Sequence, residues 1–135
     1  MFVELQCIVV TPERTVHEAP AEFVALPLYD GEIGIAPGHS PMIGRLGWGE
    51  MRIAHEGQTN RFYVEGGFVE VSGQTVSVLT SRAVPADQLN ELAAKEQLHT
   101  ALEQPAHTPE EMDARQRLAD QARAQLRVIR RAKEL

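Results

Sequence analysis

The side chains of this 135-residue sequence that could do chemistry are five histidines, one cysteine and a scatter of carboxylates. His17, His39, His55, His99 and His107 include no H-E-x-x-H pair and no H-x-H pair. The spacings that would place two imidazoles on one metal ion from a single helix or strand are therefore missing. No G-x-S-x-G frames a nucleophilic serine. Cys7 lies in an alternating run, with Val3, Leu5 and Val9 against Glu4 and Gln6, where a thiol is a small buried hydrophobe rather than an activated nucleophile. Gly47-Trp48-Gly49-Glu50-Met51-Arg52 opens like a dinucleotide fingerprint but lacks the third glycine and a following helix, so its glycines read as hairpin glycines. Glu65 and Glu70 flank a turn with no partner to complete an acid–base pair. No residue is assigned to catalysis, and no metal or cofactor is expected.

Two segments remain distinctive. Residues 31–41, Gly-Glu-Ile-Gly-Ile-Ala-Pro-Gly-His-Ser-Pro, hold three glycines and two prolines and read as an elaborate loop with Glu32 and His39 near its ends. Tyr63-Val64-Glu65-Gly66-Gly67-Phe68-Val69-Glu70-Val71 is the second. Both are ordinary turns of a sheet protein on the plainest reading, yet loops on rigid sheets are where binding residues collect.

The elements that must position them follow from an asymmetry. All ten glycines lie between Gly31 and Gly73, and no aromatic residue follows Phe68. Short apolar runs at 2–10, 21–28, 42–46, 51–55, 61–64, 68–71 and 75–79 are punctuated by Thr11-Pro12-Glu13-Arg14, Asp30-Gly31, Glu56-Gly57, Gly66-Gly67 and Ser72-Gly73. Many short strands at regular spacing predict an antiparallel β-sandwich over residues 1–84.

From Val84-Pro85-Ala86-Asp87 onward the pattern becomes helical. Pro85 suits a first helical turn, and Leu89, Leu92, Ala93, Leu98, Ala101 and Leu102 predict an apolar stripe on a helix over about 86–103. Thr108-Pro109-Glu110-Glu111 is a capping box for a second helix. At 100° per residue Leu118, Ala119, Ala122, Leu126 and Ile129 share one arc, and Arg123, Arg127, Arg130 and Arg131 share the next. The short connection makes these helices an antiparallel hairpin, residues 85–135. The predicted class is α+β.

Charge narrows the function further. A net charge of −6 argues against generic nucleic-acid binding, and no apolar run approaches the roughly 18 residues of a membrane span. A lone cysteine excludes a disulfide scaffold, and Met1-Phe2-Val3-Glu4 does not open like a signal peptide, so a cytoplasmic protein is expected.

Together these residues resemble the epsilon subunit of bacterial and chloroplast F-type ATP synthase. The resemblance is carried by Val9-Val10-Thr11-Pro12, by the G-E-I-G-I-x-P-G-H-x-P segment at 31–41, by G-G-F-V-E-V at 66–71, by V-x-V-L at 76–79 and by A-Q-L-R-V-I at 124–129. It implies a non-catalytic central-stalk subunit of a rotary motor, peripheral to the cytoplasmic face of the cell inner membrane. Its sandwich would rest on the c-subunit ring and the gamma subunit, coupling proton-driven rotation to the catalytic alpha/beta head. The resemblance assigns Glu32, Gly34, Pro37, Gly38 and His39 to the ring contact. It also implies that the hairpin, extended along the stalk, inhibits ATP hydrolysis, with Arg123, Arg127, Arg130 and Arg131 facing acidic loops of the head. Exposed ion pairs contribute only about 0.2–1 kcal/mol each, so extension must rebury the apolar stripe elsewhere.

Some relatives in that family bind ATP through an Ile/Leu-Asp-x-x-Arg-Ala motif. The matching stretch here, Leu89-Asn90-Glu91-Leu92-Ala93-Ala94, has Asn for the acid and Ala for the arginine, so ATP binding by the isolated chain is expected to be weak or absent. Two other readings fit the residues alone: a free-standing ligand-binding β-sandwich with an oligomerising hairpin, and a small enzyme using the His39 segment.

Overall fold

The computed structural model describes residues 3–134, so Phe2 of the first predicted strand and Leu135 of the predicted hairpin lie outside the described residues. The chain forms two compact units that meet in sequence between Pro85 and Ala86.

The first unit is a sandwich of two five-stranded sheets. Its strands are β1 (Leu5–Val10), β2 (Thr15–Ala21), β3 (Phe23–Leu28), β4 (Gly31–Ile35), β5 (Met42–Arg45), β6 (Trp48–His55), β7 (Gln58–Glu65), β8 (Phe68–Ser72), β9 (Thr75–Leu79) and β10 (Ala83–Pro85). One sheet has the order β2-β1-β9-β8-β5 and the other β10-β7-β6-β3-β4. Alternation decides the core. Leu5, Cys7 and Val9 of β1, Val69 and Val71 of β8, and Val76 and Val78 of β9 meet Val24, Leu26, Ile35, Met51, Ile53, Phe62 and Val64 of the other sheet. Cys7 is the small buried hydrophobe that its spacing predicts, and burial pushes its thiol pKa up to about 12.

The pairing is antiparallel throughout except between β1 and β9, which run parallel, with Cys7 opposite Val76. Three strands depart from the sequence expectation, each for a reason of residue type. β2 directs His17, Ala19 and Ala21 to the same side as Val9, Cys7 and Leu5, and polar or small residues make its alternation faint. It is an edge strand, where Pro20 removes no ladder bond from a neighbour. β4 is the first half of the predicted 31–41 loop. Its two glycines hide a strand that pairs fully with β3, from Val24 opposite Ile35 to Leu28 opposite Gly31. β10 places Pro85 opposite Phe62, so this proline closes a strand and does not begin a helix.

The second unit opens with a 3₁₀ turn at Ala86–Gln88, followed by α1 (Glu91–Glu103) and α2 (Pro109–Lys133). α1 starts later than expected because Asn90 is its cap: the side-chain oxygen accepts from the Ala93 N–H at 2.9 Å. α2 begins where the capping box places it, the Glu111 N–H donating to Thr108 Oγ1 at 3.1 Å. The return bond of the box shifts by one residue, since Glu111 Oε2 accepts from the N–H of His107. The helices are antiparallel. Gln104 O accepts from Arg115 near the connection, Leu118 O accepts from Gln97 farther along, and Lys133 pairs with Glu91 at 2.7 Å at the open end.

The hairpin's buried residues correct the predicted stripes. On α1 only Ala94 and Ala101 are buried, while Leu92 and Leu102 are 67% and 55% exposed. On α2 Ala119, Ala122 and Ile129 are buried as expected and are joined by Ala124, Gln125 and Val128, whereas Leu118 stands exposed and Leu126 is half-buried. Small alanine side chains at most of the buried positions permit close approach of neighbouring backbone.

Candidate partner-contact sites

The 31–41 segment divides into strand and loop. Glu32 and Gly34 are on β4, an edge strand, while Pro37, Gly38 and His39 belong to the connection to β5. The structure does not bring Glu32 and His39 together. Extended chain from Glu32 to Ile35 covers roughly 10 Å before that connection begins. Gly38 has φ 88°, a conformation for which glycine is suited, and the His39 N–H donates to Ala36 O at 3.2 Å, closing a tight turn. His39 Nδ1–H donates to the neighbouring Ser40 O at 2.7 Å, and the residue is half-buried. Gly34 lies under the Phe23 ring, so closely that an added Cβ would stand 2.6 Å from Cζ.

Glu32 is the exposed end of a charged chain on the outward side of its sheet. Arg52 of β6 donates to both of its oxygens, at 3.2 and 3.5 Å, and also to Glu50 Oε1 at 3.2 Å. Arg61 of β7 donates to the same Glu50 oxygen at 3.1 Å. The Glu50 side chain is only 4% exposed and that of Glu32 is 53% exposed. Bonding to Glu32 raises the Arg52 pKa, burial opposes it, and Glu50 adds to the rise. Sequence reasoning missed Arg52, Glu50 and Arg61. Their only signal is an i, i+2 Glu-x-Arg in a strand, which puts both side chains on one face.

Glu65 and Glu70, the carboxylates weighed for acid–base work, do not converge. Glu65 accepts from the Tyr63 hydroxyl at 2.7 Å and pairs with Arg82 at 3.6 Å, whereas Glu70 stands opposite Ile43 and Ser77 on the outward side of the other sheet. That outward side carries an apolar row. Arg45, Phe68 and Leu79 are opposite one another across β5, β8 and β9, with Ile43 diagonal to Phe68. Ile43, Phe68 and Leu79 are 74%, 56% and 54% exposed, more apolar surface than strands facing water usually show.

On the hairpin, Arg123, Arg127, Arg130 and Arg131 are all exposed along one side of α2. Arg123 lies 3.5 Å from Asp120. The stretch Leu89–Ala94 forms the start of α1. Asn90 is occupied as its cap, and Glu91 is held by Lys95 at 3.3 Å and by Lys133, bonding that keeps its pKa below the usual carboxylate value, Lys133 first. Among the described residues, no three His, Cys, Asp or Glu side chains gather as metal ligands and no helix is long and apolar enough to cross a membrane.

The class defined by these features is a two-part binding subunit: a β-sandwich with a charged edge and an exposed apolar face, followed by a helical hairpin with a cationic side. Residues 4–86 match the family model described as the ATP synthase delta/epsilon chain, beta-sandwich domain. The ATP synthase epsilon chain of Rhodopirellula baltica is 44% identical over 128 residues, covering 95% of this chain and all of that protein. The epsilon chain of Halorhodospira halophila is 37% identical, covering 93% of this chain and 92% of that one. The chain belongs to the ATP synthase epsilon-chain family, and is thus a subunit of that complex rather than an enzyme by itself. Its fold matches a chain in the solved Euglena gracilis mitochondrial ATP synthase with a TM-score of 0.74, at 18% identity and covering 99% of this chain and 82% of that one. A chain of the Tetrahymena thermophila mitochondrial ATP synthase central stalk and c-ring matches with a TM-score of 0.69, at 13% identity, covering 93% and 96%.

Proposed function

We propose that this chain is a central-stalk subunit of a proton-translocating F-type ATP synthase, held at the cytoplasmic face of the membrane only through the complex. It couples rotation of the c-subunit ring to the catalytic head. Residues 1–84 supply the rotor contacts and residues 85–135 the regulatory hairpin. Glu32, Gly34, Pro37, Gly38 and His39 meet the ring, and the outward face bearing Ile43, Phe68 and Leu79 meets the gamma subunit. Arg123, Arg127, Arg130 and Arg131 face acidic groups of the alpha/beta head when the hairpin restrains ATP hydrolysis.

The observation that carries the reading is the apolar row. Fully burying a side chain such as Ile, Leu or Phe contributes about 1.5–3 kcal/mol, so three of them on neighbouring strands favour a permanent partner. The charged groups near them choose its orientation.

A pull-down of the full chain from cell membranes is expected to recover gamma and catalytic subunits. Recovery of neither would overturn the reading in favour of a free-standing sandwich. Deleting residues 104–135 is expected to raise ATP hydrolysis by the assembled enzyme. Unchanged hydrolysis at low proton-motive force would reject the inhibitory role and leave coupling intact.

A further inference from the structure

We propose that Arg52 is a positioning residue for Glu32, reaching across β3 from its anchor on Glu50 to set the carboxylate that this edge of the sandwich offers to its partner. The inference rests on the reading of Glu32 as a contact residue.

Strand order makes the reach possible. β3 lies between β6 and β4, and in register with Arg52 and Glu32 it presents only Ala25 and Pro27. A long side chain at position 25 would occupy the path of the guanidinium. Arg52 is steadied from behind, because Glu50 is itself shared with Arg61 and is shielded from water. The planar fork engages both oxygens of Glu32, which removes rotamer freedom from an exposed side chain on an edge strand before any partner arrives.

The second consequence is electrostatic. Arg52 lies against Glu32 and offsets its charge. What the edge presents is an oriented acceptor with an arginine beside it, not a bare anion. It suits a surface of hydrogen-bond donors, and its contact should depend weakly on salt. Without Arg52, the Glu32 carboxylate loses the arginine that holds it, and the edge gains one unit of negative charge.

The test uses assembled enzyme stripped of this subunit and rebound with full-length variants, reading rebinding affinity at low and high salt together with ATP-driven proton pumping. Glu32→Gln and Arg52→Gln are each expected to weaken rebinding by about 1.5- to 5-fold, and the double variant to be no weaker than Glu32→Gln alone. Arg52→Gln is expected to steepen the salt dependence, a change absent when Glu32 is already Gln. Arg52→Lys, which keeps the charge but loses the fork, is expected to recover the salt response and only part of the affinity. If Arg52→Gln weakens rebinding equally in both backgrounds, Arg52 acts through Glu50 and the sheet, and the positioning role is overturned. If Glu32→Gln alone leaves rebinding and pumping unchanged, the contact reading of Glu32 fails, and the positioning role with it.

Discussion

The backbone of Gly67 lies against the carbonyl group of Leu79 so closely that a β-carbon there would stand 2.9 Å from the carbonyl carbon and closer still to its oxygen. Its φ of 101° is closed to ordinary side chains as well. At this point the β7–β8 connection crosses the end of β9, and the Leu46 N–H donates to Gly67 O at 2.8 Å. The same backbone therefore also ties in the β5–β6 connection.

Gly67→Ala meets fixed backbone on one side and a forbidden dihedral on the other. We expect a loss of several kcal/mol, a large share of a typical total of about 5–15 kcal/mol, read as a collapse of the urea midpoint. Gly73→Ala is the control. Its φ of 59° is also positive, but nothing lies within 4 Å of the added carbon, so only about 1 kcal/mol should be lost. Equal losses at the two sites would refute the role of the Leu79 carbonyl.

Glu56 has φ 51° and precedes Gly57 at φ 78° in a two-residue turn between His55 and Gln58, which are paired. Both central residues are left-handed, as a type I′ hairpin requires, and Asn-Gly fits that turn best. The Glu56 N–H donates to Glu22 Oε1 at 3.2 Å, a backbone bond that substitution preserves. Glu56→Asn is expected to stabilise the chain by about 0.5–1 kcal/mol, seen as a higher urea midpoint with an unchanged slope.

Two histidines give the sandwich opposing responses to acid. His17 packs edge-on against Phe62 with its ring centroid 5.7 Å away, and its Nε2 is buried without a hydrogen-bond partner. Burial lowers its pKa below 6.5. The unfolded chain then takes up this proton first, so stability is complete above about 6.5 and is lost as pH falls toward the folded value. His55 is bonded to Glu4, which raises its pKa, with Glu56 and Glu22 adding. Its contribution is present below 6.5 and lost as pH rises through the folded value. In urea titrations, His17→Leu should flatten the decline as pH falls below about 6.5, and His55→Gln should flatten the opposite decline as pH rises above about 6.5. An unaltered acid-side slope in His17→Leu would remove His17 from the account.

At the start of α1, Asn90 caps the helix and Glu91 is bound to two lysines. Asn90→Ala should cost the hairpin about 1 kcal/mol, measured as lost helicity on heating. Calorimetry with millimolar ATP and the isolated chain should give no binding heat; a saturable isotherm would show that the changed motif still holds nucleotide.

Legibility differed from element to element. The start of α2 was readable to the residue because a capping box is a local device, involving only Thr108 to Glu111. In the sequence β4 reads as loop because glycines such as Gly31 and Gly34 favour turns, and only pairing with β3 makes them a strand. The helix stripes are half legible. Period 3.6 shows which residues share a face, but not that the Ala94, Ala101, Ala119 and Ala122 side would be buried while Leu92 and Leu102 remained outside. The glycines and prolines of the 31–41 segment are visible in the sequence, whereas Arg52 as the partner of Glu32 is not.

The sequence by itself determined the change from turn-rich sandwich to glycine-free hairpin, the alternation that buries Leu5, Cys7 and Val9, and the first turn of α2, since spacing and backbone chemistry act over a few residues. Tertiary structure decided the rest. The order β6-β3-β4 brings Arg52 to Glu32 from 20 positions away, and the register of β5, β8 and β9 lines up Ile43, Phe68 and Leu79 on one outward face. Charge pairing and apolar surface depend on distances in space, and strand order sets those distances through contacts that no local window of sequence contains.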